Sequence, residues 1–215
     1  MSGWASDERV WEQLITELPN ATVQHIPASA DEQTIEHTLQ TLDQPIIIAW
    51  SMGAMRALDY VATHQVKALI VIAGSLSFKD LWPEHIVQKM KADLQSSPET
   101  LLDEFQQNCF SKNENEARDN YQKIFSSESI SSCFSPTELQ QGLDYLTRFH
   151  LPKEKLSLLC PTLWIHGTED RIIPIKSLEL PESIQLNKIE NCGHIPQFTE
   201  AKKVAQQINI FLAAL

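Results

Sequence analysis

Three short segments of the sequence carry residues that could act together in nucleophilic catalysis. The first contains Ser51, which lies between Ala49 and Gly53 and directly follows an apolar run. A strand that turns sharply into a helix between small residues presents a serine hydroxyl at the top of a sheet, where it can attack a carbonyl carbon. Small neighbours are needed because the backbone at such a serine is strained. Ser51 is therefore a candidate nucleophile, and the alternative is a serine that caps a helix.

The second segment supplies a carboxylate. Residues 163–174 indicate a buried strand that ends in the turn H-G-x-x-D-x-x-x-P. A carboxylate at a strand end can accept a hydrogen bond from an imidazole and hold its tautomer. We select Asp170 as this acid, with Glu169 as its rival and a solvent-exposed turn residue as the alternative interpretation.

The third segment is a loop at residues 191–196 that follows an apolar run and contains His194. A loop histidine between a glycine and an Ile-Pro pair can turn its ring towards the serine and act as a general base. A lone histidine is more often a structural residue, but the order serine, acid, histidine, each after a strand, is a known triad order. The prediction is a triad of Ser51, Asp170 and His194, with the backbone N–H of Met52 as one donor to the oxyanion.

Apolar runs alternate along the chain with segments of helical period, which is typical of βα units that form a mostly parallel sheet. The sequence therefore predicts an α/β fold, in which ligands bind at the carboxyl ends of the strands. Helices are predicted around Ile35 and Leu39, over 53–63 and over 204–212. Five strands are predicted, at residues 22–26, 45–50, 66–73, 161–166 and 184–189.

Residues 80–151 differ from the rest of the chain. They are polar, show helical period in places and contain no convincing strand, and a serine-rich stretch at 126–135 indicates a loop. We expect a helical cap inserted between the third and fourth strands, which would place it over the site. The predicted organisation is a core of residues 1–79 and 152–215 with a cap of residues 80–151.

The composition limits the classes of molecule that the chain is expected to bind. The chain has 215 residues and a formal net charge of -11, which argues against general affinity for nucleic acid or for an anionic membrane. There is no apolar run of membrane-spanning length, no signal-peptide pattern and no metal or nucleotide motif. We expect a cytoplasmic monomer without a metal or cofactor, acting on a small-molecule substrate.

With these features the chain resembles the α/β-hydrolase superfamily over nearly its whole length. Within it, the chain is most similar to the pimeloyl-[acyl-carrier protein] methyl ester carboxylesterases of biotin synthesis. The features that carry this resemblance are Gly3-Trp4 with Trp11, the segment 49–53, Ala73-Gly74-Ser75 with Phe78 and Trp82-Pro83, and the turns that contain Asp170 and His194.

The resemblance implies an α/β-hydrolase fold and hydrolysis of the methyl ester of pimeloyl-[acyl-carrier protein] through an acyl-enzyme on Ser51. It also implies that the backbone N–H of Trp4 is the second oxyanion donor, although Trp4 is equally consistent with a side chain that anchors the terminus. Trp4 and Trp50 would contact the substrate. Arg118, with Lys112 and Lys123 nearby, would bind an acidic carrier protein, the alternative being ordinary solvated helix charges.

Two questions stay open at this level. Relatives have two or three strands before the oxyanion loop, so we expect these N-terminal strands to be absent here. Either the predicted strand 22–26 then pairs with strand 45–50, or the chain is a shortened form. The alternative functions are a general short-chain esterase or thioesterase and a non-catalytic binding protein of the same fold.

Overall fold

The computed structural model describes residues 1–156 and 160–215. Its centre is a four-stranded parallel sheet with the strand order β1-β2-β3-β4. Because all strands run in the same direction, their carboxyl ends lie along one edge of the sheet. The strands are β1 (Ile46–Trp50), β2 (Ala68–Ile72), β3 (Thr162–Gly167) and β4 (Gln185–Ile189).

The two inner strands form the centre of the core. Every residue of β2 and β3 is buried, as expected of parallel strands that are covered on both faces. These strands are accordingly continuous apolar runs in the sequence, and four of the five predicted strands are confirmed to within two residues of their ends.

The prediction of a strand at residues 22–26 is wrong. This segment has no strand structure, and only Ile26 within it is buried. The free edge of β1 is occupied instead by Met1, whose amine donates to Ile48 O at 2.8 Å and whose carbonyl accepts from Trp50 N at 3.1 Å. These backbone groups of β1 are therefore not available to segment 22–26.

Helices surround the sheet and supply the connections between its strands. Their apolar faces consist of buried residues at helical spacing. In the last helix these residues are Ala201, Val204, Ala205 and Ile208. The helices are α1 (Glu12–Thr16), α2 (Glu32–Gln40), α3 (Met52–Val61), α4 (Glu84–Ser96), α5 (Pro98–Asn108), α6 (Asn115–Ile124), α7 (Ser127–Cys133), α8 (Pro136–Arg148), α9 (Lys153–Leu156), α10 (Pro196–Thr199) and α11 (Ala201–Ala213).

Six of these helices, α4 to α9, lie between β2 and β3 in the sequence, and the first five, α4 to α8, form a helical insertion. The chain leaves and returns at one place, where Ser77 and His150 form an antiparallel bridge and Leu151 N donates to Leu76 O at 2.8 Å. The serine-rich stretch predicted as a loop contains α7, because Ser126 and Ser135 are N-caps of α7 and α8 rather than loop residues.

Helix α8 is the part of this insertion that matters most for the site. It begins with a capping box between Ser135 and Glu138, which satisfies N–H groups that a helix start leaves free. Its buried residues lie on one face and are Leu139, Gly142, Leu143 and Leu146. Within the described part of the chain, all helices are too short or too polar to cross a lipid bilayer.

Candidate active site

Ser51 lies in the sharp turn between β1 and α3. Its backbone has φ 55° and ψ -124°, a left-handed conformation that side-chain-bearing residues rarely adopt. Such strain costs on the order of 1–3 kcal/mol and persists only where the surrounding structure holds it. Here Ser51 N donates to Ile72 O at 3.0 Å, while Ser51 O accepts from Ala54 N and Met55 N. The turn thus projects the hydroxyl beyond the carboxyl end of β1.

Two glycines allow the N-terminal segment to approach this turn. A Cβ on Gly53 would lie 2.5 Å from Ser2 O and 2.6 Å from Met1 O. A Cβ on Gly3 would lie 2.9 Å from Ser51 Cβ. A glycine two positions after the serine is therefore required by the backbone of the first residues, which pass directly over the start of α3.

Asp170 follows β3 and is buried among hydrogen-bond donors. Its Oδ1 accepts from Ile172 N and Ile173 N, both at 2.8 Å. Its Oδ2 lies 2.7 Å from His194 Nδ1 and 3.1 Å from His166 Nε2. Burial alone would raise the pKa of Asp170, but the electrostatic interaction with His194 and the hydrogen bonds from both histidines outweigh it and hold the pKa well below 3.8. Asp170 is therefore ionised at neutral pH.

His194 follows β4 and connects Asp170 to Ser51. A carboxylate only accepts, so His194 Nδ1 carries the proton and donates to Asp170. The neutral ring then presents Nε2 as an acceptor, 2.8 Å from Ser51 Oγ, which donates to it. The structure thus brings the three predicted residues together, and the carboxylate bonded to the His194 ring is that of Asp170 and not that of Glu169.

The main chain of His194 is held as firmly as its ring. The indole Nε1 of Trp50 donates to His194 O at 2.7 Å, and His194 N donates to Cys109 O at 2.7 Å. Trp50 was predicted to contact substrate; it is 1% exposed, and its ring lies 5.6 Å from that of His194. The contact that the structure gives Trp50 is with the histidine, and its contact with substrate stays a prediction.

On the other side of Ser51 lie the two residues predicted as oxyanion donors. Met52 is the first residue of α3, and the first N–H groups of a helix have no partner within it. Trp4 is the residue after Gly3, which lies against Ser51. The indole of Trp4 donates to Leu139 O of α8 at 2.8 Å. The Trp4 side chain anchors α8, while donation by the backbone N–H groups of Trp4 and Met52 stays a prediction.

The site is nearly closed. Ser51 is 7% exposed and His194 is fully buried. A crevice of about 10 Å³ lies beside Trp4 and Met52, bounded by Ala28 and by Phe134 and Leu139 of the insertion. That volume corresponds to about one water molecule.

Arg118 lies away from these contacts, on α6. Its side chain is about one third exposed, and its guanidinium is 3.6 Å from the Asp119 carboxylate.

The sequence analysis did not single out His166, although this residue stands in the same H-G turn as Asp170. His166 is fully buried, and its Nε2 lies 2.7 Å from Ile173 O as well as 3.1 Å from Asp170 Oδ2. Both neighbours are acceptors, so His166 Nε2 carries a proton and supports the carboxylate.

A protein-family model described as the alpha/beta hydrolase fold matches residues 35–201. The chain belongs to the α/β-hydrolase fold family. The match includes Ser51, Asp170 and His194 and the whole of the helical insertion.

Individual relatives are similar to this hydrolase in sequence. A pimeloyl-[acyl-carrier protein] methyl ester esterase of Xylella fastidiosa (strain M23) is 24% identical over 239 aligned residues, covering 99% of this chain and 93% of the relative. A protein of the same description from Xanthomonas campestris pv. campestris (strain B100) is 28% identical over 179 residues, covering 78% and 70%.

Among solved structures, an esterase from Exiguobacterium antarcticum superimposes with a TM-score of 0.75 at 19% identity, covering 98% of this hydrolase and 89% of that chain. At this identity the superposition shows the fold alone. Family and relatives together identify the enzyme class as carboxylesterase.

Proposed function

We propose that this hydrolase cleaves carboxylic esters with Ser51 as nucleophile, His194 as general base and Asp170 as the residue that orients the histidine. The observation that carries this proposal is the unbroken path of hydrogen bonds from Ser51 Oγ through the His194 ring to Asp170 Oδ2, at 2.8 Å and 2.7 Å. A structural serine and histidine would not require a strained backbone at the serine as well.

In the first half of the proposed reaction, Ser51 Oγ attacks the ester carbonyl while its proton passes to His194 Nε2. Asp170 remains ionised and stabilises the imidazolium that forms. His194 then gives this proton to the alkoxy oxygen of the leaving group, the C–O bond breaks and an acyl-enzyme remains on Ser51.

In the second half, water attacks the acyl-enzyme with His194 again taking the proton. The carboxylic acid leaves as the serine hydroxyl is restored. In both halves negative charge develops on the carbonyl oxygen, and the proposed donors to it are the backbone N–H groups of Met52 and Trp4. A single donor of this kind is worth roughly 10²–10³ in kcat.

The substrate that we propose is the methyl ester of pimeloyl-[acyl-carrier protein], which would give pimeloyl-[acyl-carrier protein] and methanol in biotin biosynthesis. Its support is the name pimeloyl-[acyl-carrier protein] methyl ester esterase, which relatives at 24–28% identity share. Arg118, partly exposed on α6, is the proposed contact for the carrier, with Lys112 and Lys123 as neighbours in the sequence.

A short-chain esterase is the second candidate, and one observation favours it. The crevice beside Trp4 and Met52 has room for about one water molecule, so a long acyl chain would have to displace side chains of the insertion. A small acyl group requires less displacement.

The deciding experiment uses p-nitrophenyl esters of graded acyl length beside pimeloyl-[acyl-carrier protein] methyl ester. Ser51→Ala and His194→Ala are measured in parallel. We expect hydrolysis of the carrier-bound ester that both variants reduce by about 10⁴-fold or more.

The other outcomes are informative. Hydrolysis of the small esters alone would retain the triad and favour the short-chain esterase. A wild-type protein that neither turns over an ester nor reacts with a fluorophosphonate at Ser51 would contradict catalysis and favour a binding protein.

The role of Arg118 has a separate test. Arg118→Ala should raise KM for the carrier-bound ester and leave p-nitrophenyl acetate hydrolysis unchanged. Arg148→Ala is the matched control, since Arg148 is an exposed arginine at the end of α8 in the same insertion. Equal effects of the two variants would contradict a specific contact at Arg118.

A further inference from the structure

The connection between α5 and α6, residues 109–114, lies against the loop that carries His194. His194 N donates to Cys109 O at 2.7 Å, and Gly193 N donates to Glu114 Oε2 at 2.9 Å. Ser111 Oγ donates to Asn191 O at 2.8 Å. The backbone of the histidine loop is therefore attached to the helical insertion at three points as well as to the sheet.

Glu114 joins the two segments through one oxygen atom. Its Oε2 accepts from Ser111 N at 2.7 Å, within its own connection, and from Gly193 N at 2.9 Å. Hydrogen bonds to an ionised carboxylate are about twice as strong as neutral ones. Among the ion pairs of the described residues, none involves Glu114. Its carboxylate therefore meets these backbone N–H groups and, beside them, the thiol of Cys192 in the same histidine loop.

The two segments also approach each other so closely that the residue at position 193 has to be glycine. A Cβ on Gly193 would lie 2.4 Å from Cys109 O and 2.9 Å from Glu114 Oε2. The residue directly before the histidine is thus fixed by contact and by hydrogen bonding to the same connection.

Glu114 lies outside the space that a substrate would occupy. It borders a polar cleft of about 320 Å³ between α6 and α10, whose other walls include Asn120, Thr199 and Glu200. Ser51, Trp4 and Met52 do not line this cleft. An effect of Glu114 on catalysis would therefore act through the histidine loop rather than through substrate contact.

We infer that Glu114 is a positioning residue for His194: by holding Gly193 N it fixes the histidine backbone at the place from which the ring reaches both Ser51 and Asp170. This inference rests on the proposed function of the triad and adds a residue of the insertion to it. The ring bonds at 2.8 Å and 2.7 Å tolerate little displacement, since a shift of about 1 Å in a catalytic group can cost roughly 10²-fold in rate.

The test compares three substitutions at this position with one control. Glu114→Ala removes the acceptor, Glu114→Asp shortens the side chain so that it cannot reach both N–H groups, and Glu114→Gln keeps an acceptor oxygen in place. Glu116→Gln is the control, because Glu116 is exposed and borders the same cleft.

With p-nitrophenyl acetate we expect kcat to fall about 10–100-fold in Glu114→Ala and Glu114→Asp with KM nearly unchanged. Glu114→Gln should recover most of the loss, and Glu116→Gln should match the wild type. If Glu114→Ala does not fold, Glu114→Asp decides the question. An unchanged kcat in the aspartate variant would overturn the inference.

A second measurement reports on the histidine itself. The proton of His194 Nδ1 that is hydrogen-bonded to Asp170 should give a far-downfield NMR resonance in the wild type and in Glu116→Gln. We expect this resonance to broaden or shift in Glu114→Ala and Glu114→Asp while the melting temperature and circular dichroism still report a folded protein. An identical resonance in all variants would contradict positioning through the histidine.

Ser51→Ala, measured beside these variants, separates the two ideas. Turnover that depends on Ser51 but not on Glu114 would overturn the inference and leave the proposed function intact. If the wild type shows no Ser51-dependent turnover, the proposed function fails, and the role of Glu114 in catalysis fails with it.

Discussion

The two sides of Ser51 are built from different interactions. On the histidine side, both ring nitrogens and both backbone polar groups of His194 have hydrogen-bond partners. On the side of Gly3 and Trp4, close packing dominates, since Gly3, Gly53 and Gly142 each lie where a Cβ would meet an atom within 3 Å. The histidine side is also closely packed, at Gly193, but there directional bonds fix a proton path as well. On the other side, packing fixes how near the chain comes to the serine.

The largest expected effect comes from breaking the histidine side at its acid. Asp170→Asn keeps the size of the side chain but favours the wrong histidine tautomer, so we expect kcat for p-nitrophenyl acetate to fall about 10⁴-fold. Steady-state kinetics checks this, with circular dichroism to confirm the fold. A loss of less than about tenfold would show that Asp170 does not orient the histidine.

A substitution at Gly53 would break the packed side instead. In Gly53→Ala the new methyl group would lie 2.5 Å from Ser2 O and 2.6 Å from Met1 O, which are backbone atoms that cannot rotate away. We expect a loss of about 1–3 kcal/mol in the free energy of unfolding, together with reduced kcat. Denaturant unfolding measures the first quantity, and unchanged stability would contradict the close approach.

Two tryptophans allow a matched comparison of the sides. Trp50→Phe removes the donor to His194 O, and the buried carbonyl left without it should cost about 1–3 kcal/mol and lower kcat. Trp4→Phe removes the donor to Leu139 O, which lies inside α8 and keeps its helical acceptor role, so the expected cost is below about 1 kcal/mol. Unfolding and kinetics of both variants test this order, and equal costs would remove the contrast between the sides.

The smallest expected effect is confined to acid pH. The pKa of Asp170 is depressed in the folded protein, so the folded state binds fewer protons there than the unfolded state. The resulting stabilisation is complete above the ordinary value of 3.8 and is lost as the pH falls through the lower folded pKa. Below about pH 4, wild-type stability should decline more steeply than that of Asp170→Asn. Parallel slopes would contradict the depressed pKa.

The sequence could predict those residues of the site whose neighbours in the chain form a recognisable pattern. Ser51, Asp170 and His194 each follow a strand within a few residues, so an apolar run beside a turn residue was enough to find them. Glu114 could not be found this way, because its contact with Gly193 spans 79 positions and leaves no pattern near either residue.

The same distinction explains the fold predictions. Four strands could be predicted because a buried strand is a continuous apolar run, whereas residues 22–26 have a strand-like composition but Met1 occupies the place beside β1. Whether a segment becomes a strand depends on its partner as well as on its own residues. The serines at 126 and 135 were ambiguous for a related reason, since serine favours both loops and helix caps.

The bonds from the histidine loop to residues 109–114 have a consequence for protein engineering. Caps of this kind are attractive units to exchange between hydrolases in order to alter substrate preference. Here an exchange of the whole insertion would also remove the acceptors of His194 N and Gly193 N, which are Cys109 O and Glu114 Oε2. A chimaera should therefore keep the connection between α5 and α6 from this chain and graft only the helices on either side of it.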